Sequence, residues 1–313
     1  MSDRPSLTEL LDVRRHLALP STALVEKDWY VTRAIAALAA LDAAPFRLVF
    51  AGGTCLARAY KLVRRMSEDV DFKVVPIDAA PIGRSVLRRQ LASLREKVTT
   101  AVATAGFAVD PAKVKSLNEN HYIVYQLPYE PTGSGGEGIL RPTLQIELTY
   151  AYLRQPSVAL PVRSFVAEAF GRPTEVTMID CVSLAQTAAE KFIALTRRTA
   201  AELADVSRDA DPMLVRHLYD LHALRDHVDL VATAALAHSI AIEDAKAFKN
   251  QYPAYLGDIV GETHKAIDAI RSDEAFRQRY ERFIDAMVYG DRASFDAVVT
   301  TIAELARQMG IGE

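Results

Sequence analysis

The stretch FAGGTCLARAYKLVRRMSEDVDF, residues 50–72, constrains this chain more than any other. It reads as the end of an apolar strand (46–51), a glycine turn at Gly52 and Gly53, a short helix, a tight return and a second strand (70–75). Thr54 is placed to cap the helix, expected over about 55–63. Two glycines at a strand end let backbone N–H groups approach an anion with no Cβ in the way. The positive end of the following helix would point to the same place. Asp69 and Asp71 lie two apart on a strand, so both project to one face. Adjacent carboxylates repel unless a cation separates them. Mg²⁺ binds such oxygens together with substrate phosphates, and a two-metal site would activate an attacking hydroxyl and stabilise leaving pyrophosphate.

Around that segment the chain alternates helical and extended patterns. Residues 23–41 space Tyr30, Ala34, Ala37 and Leu41 three and four apart, a helix that Pro45 stops. Residues 83–105 do the same with Leu87, Leu91, Leu94 and Val98. Residues 121–127 and 143–150 read as strands joined by PYEPTGSGGEGILRP, a flexible hairpin loop or lid. The strand signal stops after Tyr152. From Ser183 the pattern is helical, over 183–200, 211–226, 229–238, 241–249, 273–287 and 292–309. The expected class is α+β: a mixed-sheet domain over 1–175, then an α-helical domain over 176–313. Glu147, alternating with Ile146 and Leu148, is the candidate third metal-binding acid, with a plain surface acid as the alternative.

Composition excludes several classes. Half of the 313 residues are hydrophobic and a quarter charged, which is globular rather than disordered. The net charge of −3 leaves only a local patch to meet nucleic acid. Arg84, Arg88 and Arg95 recur along one helix, and Lys61, Arg64 and Arg65 lie near the glycine turn; ordinary solubilising charge is the other reading. Cys55 and Cys181 form no CxxC pair, so neither a disulfide framework nor a zinc site is expected. No run of 18 apolar residues and no N-terminal h-region occurs, so the expected location is the cytoplasm, with no membrane partner.

The glycine turn followed by Asp-x-Asp resembles the DNA polymerase β-like nucleotidyltransferase superfamily. More closely, GGTCLARAYKLVRRMSEDVDF resembles the AbiEii family, the toxin half of type IV toxin–antitoxin and abortive-infection systems. The resemblance extends to Glu26-Lys27-Asp28-Trp29, to AEKFIALTRR (189–198) and to RHLYDL (216–221). It implies a polymerase β-like nucleotidyltransferase domain using Mg²⁺ or Mn²⁺ with an NTP as substrate. Gly52, Gly53 and Thr54 would hold the triphosphate, and Asp69 and Asp71 would be catalytic metal ligands. Lys191 would lie against the triphosphate, and Asp220 would be a further catalytic or site-organising acid, both contributed by the helical domain. Ser67 matches a phosphate-contacting hydroxyl position; Arg65 and Arg198 match basic positions. The implied acceptor is RNA, with the tRNA 3′ end leading, so that transfer would block translation. A separately encoded antitoxin is implied, and it need not bind the toxin. A protein or small-molecule acceptor would suit the same fold. A nucleotide- or RNA-binding regulator without catalysis is the reading from another class.

The residues themselves agree with part of this. Lys191, Leu195 and Arg198 share one helix face, where a cation can offset triphosphate charge or simply face solvent. Arg216 and Asp220 are four apart and could form a helix salt bridge or hold Lys191. His217 carries no assignment.

Overall fold

The computed structural model describes residues 4–78, 80–132, 140–205 and 211–308. The middle of the expected lid, 133–139, and the end of the last expected helix, residue 309, lie outside the described residues. The chain divides into two compact units, Met1–Val182 and Ser183–Glu313.

The first unit runs α1 (Leu7–His16), α2 (Thr22–Ala39), β1 (Phe46–Ala51), α3 (Gly52–Arg58), β2 (Asp69–Pro76), α4 (Arg84–Thr104), β3 (Val114–Leu117), β4 (Tyr122–Pro128), β5 (Thr143–Tyr150), β6 (Val158–Val162), α5 (Phe165–Ala169) and β7 (Val176–Cys181). The strands form one mixed seven-stranded sheet in the order β3-β4-β5-β2-β1-β7-β6. β2 pairs antiparallel with β1 and parallel with β5, which puts Asp69 beside Gln145 and Asp71 beside Glu147.

Alternation along the two central strands sorts their faces. Val70, Phe72 and Val74 of β2 join Leu144, Ile146 and Leu148 of β5 in the main core. The apolar stripes of α2 (Val31, Ile35, Leu38) and α4 (Leu87, Leu91, Leu94, Val98) belong to the same cluster. Each such side chain contributes about 1.5–3 kcal/mol by leaving water. The odd-numbered residues Asp69, Asp71, Gln145 and Glu147 are left half-buried on the other face.

Two local expectations are corrected. The helix after the glycine turn begins at Gly52 itself and ends at Arg58, with Ala51 at the N-cap and no side-chain cap. The Thr54 hydroxyl instead donates to Ser67 Oγ at 2.9 Å and to the Asp69 carbonyl, tying the turn to the start of β2. The sheet also continues past Tyr152, through β6 and β7. β6 is an edge strand, exposed along most of its length and carrying Pro161, so its sequence has no clean alternation. β7 exposes Met178 by 70%, which inverts the apolar-in pattern a reader looks for.

The second unit is helical: α6 (Leu184–Ala204), α7 (Arg216–Leu224), α8 (Leu230–Ala247), α9 (Pro253–Gly257), α10 (Ile259–Ser272), α11 (Glu274–Met287) and α12 (Phe295–Gln308). Ser183 Oγ caps α6 by accepting from the Gln186 amide at 3.3 Å. Among the described residues no helix is long and apolar enough to cross a membrane. The architecture is α+β, a mixed sheet with flanking helices and a helical second unit.

Candidate active site

The glycines make room for side chains. Gly52 has φ +73°, and a Cβ there would overlap Asp71 Oδ2. A Cβ on Gly53 would overlap the Arg65 guanidinium and come within 3.1 Å of Ser67 Oγ. Arg65 is buried, and its Nη1 donates to the Met66 carbonyl at 2.9 Å. Gly52, Gly53, Thr54, Arg65, Ser67, Asp69 and Asp71 thus form one packed group at the head of β2.

The acids are embedded in a hydrogen-bond network. Arg141 forks over Asp69, with Nη1 2.8 Å from Oδ1 and Nη2 3.2 Å from Oδ2. Arg141 Nη1 also donates to Gln145 Oε1 at 3.2 Å, and Gln145 in turn donates to Glu147. Tyr122 donates to Glu147 Oε2 at 2.8 Å. Burial, and then the Glu147 carboxylate, push the Tyr122 hydroxyl above its ordinary pKa, so it stays a donor. Among the described residues no three acid, histidine or cysteine side chains converge to hold one metal ion. The oxygens on the strand face still fit a hard divalent ion. Mg²⁺ commonly takes one or two carboxylates and completes its shell with phosphate and water. Asp69 and Asp71 could supply two such carboxylates, and a guanidinium already lies against Asp69.

Nothing in the sequence pattern points to a role for Arg141, and Glu26-Lys27-Asp28 matches the family without an assigned role. All three are buried although consecutive on α2. Consecutive helical residues point in different directions, so each reaches a different partner. Glu26 accepts from the Thr132 amide at 2.9 Å and pairs with Arg4. Lys27 Nζ donates to the Arg141 carbonyl at 2.8 Å and the Thr143 carbonyl at 2.9 Å, and lies 3.3 Å from Glu68 Oε2. Glu68 accepts from the Arg141 amide at 2.7 Å. Asp28 pairs with Arg58 at 3.1 Å and accepts from the Phe165 amide at 2.6 Å. Burial pushes the Asp28 carboxyl up to about 6, against the pull of Arg58. Three adjacent charges on a helix whose other residues are mostly apolar were the available signal.

The second unit holds its own predicted group. Lys191 on α6 pairs with Asp220 on α7 at 2.7 Å, with side-chain exposures of 9% and 0%. Arg198 pairs with Asp211. His217 Nδ1 is buried without a hydrogen-bond partner among the described residues. Burial, and then the Lys191 charge, hold that ring neutral.

Of the six basic residues read as a patch, Arg84 and Lys61 pair with acids, Glu119 at 2.9 Å and Glu168 at 2.9 Å, and Arg95 meets a neutral amide, donating to Asn120 at 3.3 Å.

Comparison with known proteins follows the same lines. Among solved structures, MenT4, a nucleotidyltransferase toxin from Mycobacterium tuberculosis H37Rv, is similar in fold, with a TM-score of 0.56 at 19% identity over 97% of this chain and 90% of that one. No curated protein sequence matches the chain. The family described as "Nucleotidyl transferase AbiEii toxin, Type IV TA system" matches residues 33–301, most of the chain's length. The chain therefore belongs to the AbiEii family of nucleotidyltransferase toxins.

Proposed function

We propose that this nucleotidyltransferase toxin moves a nucleotide from an NTP to an RNA acceptor, the tRNA 3′ end, and so blocks translation. The observation that carries the site assignment is the fit of Asp71 against Gly52, where only glycine leaves room for the carboxylate. An acceptor hydroxyl oxygen bonds to the α-phosphorus, the bond to the pyrophosphate oxygen breaks, and the hydroxyl proton leaves to solvent. A Mg²⁺ or Mn²⁺ ion held by Asp69 and Asp71 would offset the charge on the phosphates in flight.

The chain's own residues do the positioning. Gly52 and Gly53 keep the turn low beneath the phosphates. Thr54 and Ser67 fix the first residue of β2, and with it the direction of Asp69. Arg65, packed on Gly53, holds the turn. Glu147 supports from the neighbouring strand, its oxygens engaged by Tyr122 and Gln145. Lys191, Arg198 and Asp220 are assigned to nucleotide handling on the family motifs they match. The family also implies a cognate antitoxin.

The test is label transfer. Protein, Mg²⁺, each labelled NTP and total tRNA are incubated, with Asp69→Ala as control. Label should reach tRNA with wild type and fall by ~10²–10³-fold in the variant. Label on protein instead would move the acceptor, and equal labelling by both proteins would remove Asp69 from the site.

A further inference from the structure

Arg141 is held twice, at two kinds of group. Its backbone is pinned: the amide donates to Glu68 at 2.7 Å and the carbonyl accepts from Lys27 at 2.8 Å. Lys27 and Glu68 are themselves a buried pair, with side-chain exposures of 0% and 4%. Its guanidinium, in contrast, is 36% exposed and covers both oxygens of Asp69. The backbone is therefore fixed and only the tip can change partner.

The partner it covers is one that the chemistry needs. A planar guanidinium matches a carboxylate and a phosphate with the same two-pronged geometry. Asp69, Asp71 and Glu147 sit on neighbouring strands, and Arg141 is hydrogen-bonded to Asp69 and, through Gln145, linked to Glu147. If a divalent ion engages Asp69, the guanidinium loses that partner at the moment a polyphosphate arrives beside it.

We propose that Arg141 is a phosphate-binding residue that serves as the counter-ion of Asp69 in the nucleotide-free protein and passes to the triphosphate when nucleotide and divalent ion bind. The assignment rests on the nucleotidyl-transfer reading above. It also explains why α2 buries a lysine: Lys27 and Glu68 hold the root of Arg141 within reach of Asp69 and of the incoming phosphates.

The two roles predict shifts of opposite sign. In Arg141→Ala, Mn²⁺ binding to the nucleotide-free full-length protein, followed by isothermal titration, tightens about tenfold because a competing cation is gone. KM for NTP at saturating Mn²⁺ rises about tenfold because a phosphate ligand is gone. A merely structural role would weaken both. Arg141→Lys keeps the charge but not the fork, so its Mn²⁺ affinity stays near wild type while KM still rises. Weakening of both quantities in Arg141→Ala, or no change in either, overturns the proposal. Such a result leaves the parent reading standing wherever the wild-type protein transfers label. A wild type that binds neither Mn²⁺ nor nucleotide overturns both.

Discussion

At the scale of single residues, the head of β2 is a packing problem with one solution. Gly52 adopts φ +73° and gives its missing Cβ volume to the Asp71 carboxylate. Gly52→Ala must strain the backbone and displace that carboxylate together. The left-handed conformation costs about 1–2 kcal/mol for a non-glycine residue. With Asp71 in the proposed role of metal ligand, its displacement should add a loss of transfer of ~10²-fold. Thermal melting and the labelling assay read the two effects separately, and wild-type transfer by the variant would contradict the placement of Asp71. These positions were legible in the sequence because glycine pairs and two-apart acids act through local geometry. Arg141 was not, because its partner Asp69 lies 72 residues away and an arginine ending a glycine-rich loop has no periodicity.

Among the elements, α2 does more than cover the sheet. Its Glu26-Lys27-Asp28 run fastens three separate segments: Thr132 shortly after β4, Arg141 and Thr143 at the entry to β5, and the start of α5 at Phe165. Removing one member of a buried ion pair strands the other. Lys27→Met should therefore destabilise by about 3–5 kcal/mol, leaving buried Glu68 with the Arg141 amide but without its cation. Adding Glu68→Gln should recover part of that loss, as chemical denaturation of the single and double variants would show; no recovery would mean that the two carbonyl contacts of Lys27 carry the effect. The central strands and most helices could be read from apolar spacing, since the core face sets that spacing directly; α1 and α10 drew no expectation, and the helices expected over 229–238 and 241–249 are one, α8. β6 and β7 could not. One is an exposed edge containing Pro161, the other turns Met178 outward, and neither carries the alternation a half-buried strand shows.

For the molecule as a whole, each unit carries part of the predicted chemistry and a core of its own. The first holds the glycine turn, both aspartates and the cluster built on α2, α4 and the sheet. The second holds the Lys191–Asp220 pair and a cluster that includes Tyr252, Tyr255 and Ala266. A polypeptide of residues 1–182 contains the whole sheet, so it should melt in one cooperative transition. It also retains Asp69 and Asp71, and should bind Mn²⁺ within a few-fold of the full chain. Lacking Lys191 and Asp220, it should not transfer label to tRNA. Transfer by the short chain would remove the second unit's pair from the chemistry. A folded short chain that ignores Mn²⁺ would instead remove the two aspartates as a sufficient ion site.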